Sequence, residues 1–144
     1  PVRRVATIMN VAFADTSFYV ALVSPEDELH RSAVGLTRPD HGASGKIITT
    51  EFVLIEVANF LSAPLRRVGY SLLLNAIRSD GRTRILAASR SLFEQGEELF
   101  RKRIDKEWSL TDCTSFAVMR RLRIRRALTA DRHFKQAGFE LLLK

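Results

Sequence analysis

Four acidic residues of this 144-residue chain, Asp15, Glu56, Asp112 and Asp131, have the type and setting that suit chemistry. Asp15 follows the apolar run Val11 to Ala14, and Asp131 follows Ala127 to Ala130, so each is expected at the carboxyl end of a strand. Taken singly, either aspartate has an ordinary job as the N-cap of the helix that follows. Asp112 closes Ser109-Leu110-Thr111-Asp112, a serine followed three residues later by an acid ahead of an apolar stretch, which is the capping-box pattern. Glu56 has no such structural job. Its helical neighbours at three and four residues are Phe52, Val53, Asn59 and Phe60. An ionised carboxylate in mostly apolar surroundings is costly unless it is paired or bound to a cation. Glu51, by contrast, sits in the first turn of the same helix, where the helix dipole favours a negative charge, and is left outside the site.

Four carboxylates gathered at one place repel one another, so they call for a cation. Ligands that are all oxygen suit Mg²⁺ or Mn²⁺. Zinc is not expected, because Cys113, His30, His41 and His133 show no ligand spacing, and His30 and His41 read as surface or packing residues.

The elements that must position these acids alternate along the chain. A strand at Val11 to Ala14 feeds a helix opened by Asp15 or Ser17, and Pro25 precedes a helix expected from Glu26 to Leu36. Arg38 to Lys46, with Pro39, Gly42 and Gly45, reads as a loop. The β-branched run Ile47 to Thr50 is a strand, and Glu51 to Ala63 is a helix stopped by Pro64. Leu65 to Ser79 is a helix, Thr83 to Ala87 a strand, Leu92 to Arg103 a helix, and Ser109 opens another that runs to Leu122. Ala127 to Ala130 is strand-like, Asp131 to Gln136 a last helical turn closed by Gly138, and Glu140 to Leu143 a terminal strand. Strands alternating with helices imply an α/β domain whose mostly parallel sheet is covered on both faces. Ligands then collect beyond the carboxyl ends of the strands, directly after Ala14, Thr50 and Ala130.

One domain is expected, at residues 9 to 144, with residues 1 to 8 read as a flexible extension and Met9 as an alternative start. The single cysteine, Cys113, rules out an intramolecular disulfide and fits a reducing cytoplasm. No apolar run approaches the length of a membrane span. The formal net charge of +7, from 23 basic and 16 acidic side chains, favours a polyanionic partner such as nucleic acid. The basic run Arg120-Arg121-Leu122-Arg123-Ile124-Arg125-Arg126 ends the helix that Asp112 begins and is a candidate phosphate grip, although cations at a helix C-terminus are favoured by the dipole alone. Arg132 and His133, next to Asp131, are the nearer phosphate neighbours.

Four segments together resemble the PIN-domain family, and within it the VapC-type toxins of bacterial and archaeal toxin–antitoxin pairs. They are Ala14-Asp15-Thr16-Ser17, Thr50-Glu51-Phe52-Val53-Leu54-Ile55-Glu56, Ser109-Leu110-Thr111-Asp112-Cys113 and Leu128-Thr129-Ala130-Asp131-Arg132-His133-Phe134, and the likeness extends over residues 11 to 143. The resemblance implies that Asp15, Glu56, Asp112 and Asp131 are metal-binding carboxylates for one or two divalent ions, with Thr16 or Ser17 as a polar neighbour of the first. It also implies RNA as substrate, a homodimer, and inhibition by a cognate VapB-like antitoxin. The segment through Ile8 departs from the family pattern. A carboxylate-held Mg²⁺ would activate water against a phosphodiester, so no protein nucleophile is required. Ser17 has no histidine partner in its sequence context, and Cys113 stands at an apolar helix start.

Three other readings compete. A non-catalytic PIN-like module that binds RNA or protein would tolerate loss of acids, whereas all four are present. A housekeeping PIN nuclease would lack an antitoxin. A phospho-accepting receiver domain needs an acidic pair near the start and a lysine after a late strand, but only Asp15 stands alone and Lys46 precedes its strand.

Overall fold

The computed structural model describes residues 10–38 and 45–144. The expectations for residues 1 to 8, for His41 and for most of the loop between Arg38 and Lys46 lie outside the described residues. Among the described residues the elements run β1 (Ala12–Ala14), α1 (Thr16–Val23), α2 (His30–Leu36), β2 (Ile47–Thr50), α3 (Glu51–Phe60), α4 (Pro64–Ser79), β3 (Thr83–Leu86), α5 (Arg90–Lys102), α6 (Leu110–Arg121), β4 (Arg126–Leu128), α7 (Arg132–Gln136) and β5 (Glu140–Leu141). The strands form one five-stranded sheet in the order β3-β2-β1-β4-β5. Every pairing is parallel, with Ala12 opposite both Ile47 and Arg126 and Ala14 opposite Leu128.

Every residue of β1 and β2 is buried, as strands covered on both faces must be. The sequence marks this by continuous apolar or β-branched runs without alternation. The order reverses at β1, whose neighbours β2 and β4 lie on opposite sides of it. Such a reversal opens a crevice beyond the carboxyl ends of the central strands.

Boundaries differ from the sequence reading where local chemistry overrides periodicity. The helix expected from Glu26 begins only at His30, because Pro25 opens a turn and the Asp27 carboxylate accepts from the Leu29 N–H at 2.8 Å. Pro64 does not stop α3, which has already ended at Phe60. It starts α4 at a first-turn position where no N–H is needed. The strand expected at Ala127 to Ala130 pairs one residue earlier and stops at Leu128, and the terminal strand stops at Leu141.

A buried aromatic cluster joins the three elements that carry aspartates. Phe13 of β1 stacks on Phe134 of α7 with ring centroids 6.5 Å apart, and Phe116 of α6 meets Phe134 edge-on at 4.9 Å. Trp108 meets Phe116 edge-on at 5.0 Å. Edge-on ring pairs contribute about 0.5–1.5 kcal/mol beyond the area they bury. Here they also fix the spacing of the chain segments two, three and four residues away, at Asp15, Asp131 and Asp112. Helix α5 is pressed onto the start of α6 at Gly96, where an added Cβ would stand 2.5 Å from Thr114 Cγ2 and 3.1 Å from Thr114 N.

Candidate active site

Asp15 is the first residue after β1 and takes the N-cap position of α1, but its side chain makes no capping hydrogen bond. Its carboxylate instead accepts from the Thr129 hydroxyl, 2.9 Å from Oδ2, with Ser17 Oγ at 3.4 Å. The structural job that the sequence offers Asp15 is thus not the one it performs. Only 3% of Asp15 is exposed, and its carboxyl is pushed up to about 7. Burial is the main cause. The Thr16 N–H and the Thr129 hydroxyl oppose it, while the charges of Asp112 and Glu56 add to it.

Asp131 does cap its helix, accepting from the His133 N–H at 2.9 Å through Oδ1. Asp112 completes the capping box: Ser109 Oγ accepts from its N–H at 3.0 Å, and its Oδ2 accepts from the Ser109 N–H at 3.1 Å. Its carboxyl is also raised, mainly by burial and further by Asp131 and Glu56, against the lowering effects of Ser109 and His133. Each of these three aspartates thereby commits one oxygen to holding its own orientation. Glu56, on the second turn of α3, is half-buried and has no hydrogen-bond or ion-pair partner among the described residues.

The four carboxylates come from four separate segments and line one cavity of about 300 Å³, together with Thr16, Ser17, Asp27 and Phe60. Thr16 is 5% exposed, and its hydroxyl has no partner among the described residues. A buried, unpaired hydroxyl beside clustered carboxylates fits a site shaped for a hydrated hard cation. The donor set is all oxygen on the cavity side, so the residues present fit a divalent metal.

Sequence reasoning missed Thr129, which is fully buried. Its hydroxyl donates to Asp15 and accepts from the Asp131 N–H at 3.0 Å, and its only signal was a place two residues before Asp131. Because that single hydrogen goes to Asp15, the 3.0 Å contact between Ser17 and Thr129 must be donated by Ser17. Asp27 was missed as well, since it reads as an ordinary turn residue.

His133 lies against two of the aspartates. Its Nδ1 lies 3.3 Å from Asp112 Oδ2 and 3.4 Å from Asp131 Oδ1. The three side chains form a compact group that linear spacing does not reveal. His30 packs as expected, with Nδ1 2.7 Å from the Ala21 carbonyl. Arg132 is exposed at the first position of α7, beside Asp131.

Arg120, Arg123, Arg125 and Arg126 do not line this cavity. Helix α6 starts at the site and runs away from it for 12 residues, about 18 Å. Chain and strand return from the far end, so Arg126 opens β4 at the edge of the sheet opposite the carboxylates. Arg123 is held there by the helix stop, with φ 56° and the Ile124 N–H bonded to the Met119 carbonyl at 2.8 Å. These arginines do not flank the cavity. Cys113 is fully buried and its thiol is pushed up to about 11, chiefly by burial, so it is no nucleophile. No helix among the described residues is long and apolar enough to cross a membrane.

An all-parallel sheet with its order reversed at β1 carries carboxylates gathered at that reversal. The sequence profile of the PIN domain matches residues 12–140, and the chain belongs to the PIN-domain family, with VapC-type toxins as its relatives. It is 34% identical over 131 residues to the 23S rRNA-specific endonuclease VapC20 of two Mycobacterium tuberculosis strains, CDC 1551 / Oshkosh and ATCC 25618 / H37Rv, an alignment that covers 88% of this chain and 94% of theirs. The crystal structure of M. tuberculosis VapC20, described as a sarcin-ricin-loop-cleaving toxin, superposes with a TM-score of 0.77 at 31% identity, covering 90% of this chain and 96% of that one. VapBC2 from Rickettsia felis, bound to a fragment of its promoter DNA, shares the fold at a TM-score of 0.62 and 14% identity, over 91% of this chain and 96% of that one.

Proposed function

We propose that this chain is a Mg²⁺- or Mn²⁺-dependent endoribonuclease that hydrolyses RNA phosphodiester bonds and serves as the toxin of a toxin–antitoxin pair. The observation that carries the reading is the convergence of Asp15, Glu56, Asp112 and Asp131 on one cavity at the point where the strand order reverses. Asp15, Asp112 and Asp131 would hold the ion, each steadied by a hydrogen bond to one of its oxygens. A divalent cation, when bound, supplies positive charge against the charge that develops on the phosphate, and a more acidic water. Glu56, the one acid without a tether, is placed to accept a proton from water or to complete the ion's ligands. Thr16, whose hydroxyl is unpaired, adds a polar contact to the cavity, and Ser17 acts through Thr129. Arg132 contributes a cation at the rim for an incoming phosphate.

The likeness to 23S rRNA-specific endonucleases supports a structured loop of large-subunit ribosomal RNA as the substrate class, reached in the cytoplasm. A VapB-like antitoxin is the partner that restrains the activity. A homodimer is the assembly, and an exposed apolar stripe on α4 supports an interface: Leu65, Val68 and Leu72 are 92%, 62% and 65% exposed on one helix face.

Purified protein incubated with 23S rRNA tests the reading. One cut, mapped by primer extension, is expected with Mg²⁺ or Mn²⁺ and none with chelator. Asp15→Asn, Glu56→Gln, Asp112→Asn and Asp131→Asn should each lose most activity, on the order of 100-fold or more, with an unchanged circular dichroism spectrum. Full cleavage in chelator would overturn the metal reading. Expression of the wild type, but not of Asp15→Asn, should arrest growth and be relieved by the antitoxin.

A further inference from the structure

We propose that a second cavity, between the β3 edge of the sheet and helices α5 and α6, binds a nucleoside monophosphate. It holds about 340 Å³ and shares no lining residue with the carboxylate cavity. Its floor comes from the sheet. Arg84 of β3 lies opposite Ile48 of β2, and side chains two apart along a strand share a face, so Ile48, Arg84 and Leu86 point together toward the helices. Leu92 of α5 and Val118 and Leu122 of α6 face them across the opening. Arg121 stands one turn before the end of the same α6 face, three residues after Val118. It belongs to the basic run that the metal cavity leaves unused.

The polar groups of this cavity fix the chemistry of its ligand. Neither Arg84 nor Arg121 makes a hydrogen bond or ion pair among the described residues, and no carboxylate lines the cavity. Two uncompensated guanidiniums match a phosphate monoester, which carries about −1.5 to −2 charges at pH 7, better than a singly charged carboxylate. Ser89 Oγ accepts from the Leu92 N–H at 3.1 Å, so its hydrogen is free to donate. Gln95 donates through Nε2 to Ser91 Oγ at 3.1 Å, which leaves its carbonyl oxygen as an acceptor for a ribose hydroxyl or a base N–H. The aliphatic walls suit the flat face of a base. A sugar phosphate would set hydroxyls against those walls, and a lipid phosphate would leave Ser89 and Gln95 unused. The volume is at the lower end of ligand sites, about 300–1,000 Å³, which admits one nucleotide and no longer chain. That nucleotide is either free or the 5′-phosphorylated end of an RNA, since only an end carries the doubly charged group.

Titration calorimetry in chelator tests this without metal or turnover. AMP should bind with one site per chain, more tightly than adenosine or inorganic phosphate. Arg84→Gln and Arg121→Gln, both at exposed positions, should each weaken it about tenfold, as loss of one charge-assisted pair does. Leu122→Asp, which sets a negative charge on the exposed wall, should abolish it, and Asp15→Asn should leave it unchanged. A 5′-phosphorylated oligoadenylate that binds as AMP does, while its 5′-hydroxyl counterpart does not, assigns the RNA end. Binding of AMP alone assigns the free nucleotide. The proposal is overturned if AMP does not bind, if phosphate binds as tightly as AMP, or if both arginine variants, folded by circular dichroism, keep wild-type affinity. Oligoadenylate binding that ignores the 5′ group, with none for AMP, would make these arginines contacts to RNA backbone and overturn it as well. None of these outcomes bears on the metal reading, which the carboxylate variants test.

Discussion

The Thr129 hydroxyl is 2.9 Å from Asp15 Oδ2 and 3.0 Å from the Asp131 N–H, so one side chain joins the acid that follows β1 to the acid that follows β4. The two strands are neighbours, paired from Ala12 opposite Arg126 to Ala14 opposite Leu128, and the contact forms where they leave the sheet. A backbone donor and a buried carboxylate are satisfied by the same atom.

Removing that atom should affect stability and chemistry together. Thr129→Val keeps the shape, leaves Asp15 short of a donor and Asp131 N–H without its acceptor, and should cost about 1–3 kcal/mol and lower kcat. Thr129→Ser should restore both. Thermal melting and single-turnover cleavage of the two variants check this, and equal behaviour of valine and serine would reduce Thr129 to a space-filling residue.

The raised Asp15 carboxyl makes a signed prediction for the metal-free protein. Its folded value of about 7 lies above the ordinary 3.8, so the folded state binds the proton more tightly. That contribution is fully present below pH 4 and is lost as pH rises through about 7, a change on the order of a few kcal/mol. Melting in chelator should show this decline, and Asp15→Asn should flatten it. A bound cation favours the ionised form, so at pH 6 metal binding should release protons from the wild type. Titration calorimetry in buffers of different ionisation enthalpy measures that release, and none from the wild type would contradict a buried protonated Asp15.

Gly96 sets how closely α5 lies on the first turn of α6. Gly96→Ala places a methyl against Thr114, two residues from Asp112. The overpacking should cost about 1–3 kcal/mol. A displaced α6 should also weaken metal binding. A melt and a Mn²⁺ titration read the two effects separately.

The basic residues divide by position. Arg132→Ala should raise KM for RNA and reduce the salt slope by roughly 1, as loss of one phosphate contact does. Arg125→Ala, on the far edge of the sheet, should leave cleavage of a short stem-loop unchanged. Equal losses in the two variants would mean that RNA wraps the whole domain.

The sequence by itself determined the alternating order of elements, because that order depends on local chemistry, and it offered four acids as candidates for a site. Ile47 to Thr50 reads as a buried strand, and Ser109 to Asp112 as a capping box, whatever the rest of the chain does. It could not show that Asp15 declines the capping bond that Asp131 makes, since the choice depends on Thr129, 114 residues away. It set Arg132 ahead of Arg120, Arg123, Arg125 and Arg126 only by its place beside Asp131 in the chain. All five are near acids in the linear chain, but α6 carries four of them to the other end of the sheet. His133 shows the same dependence. Its meeting with Asp112 requires Phe13, Phe116 and Phe134 to pack β1, α6 and α7 together. Capping and periodicity are decided within a few residues. Which side chains share a cavity is decided by how separate elements pack, and only the tertiary structure contains that.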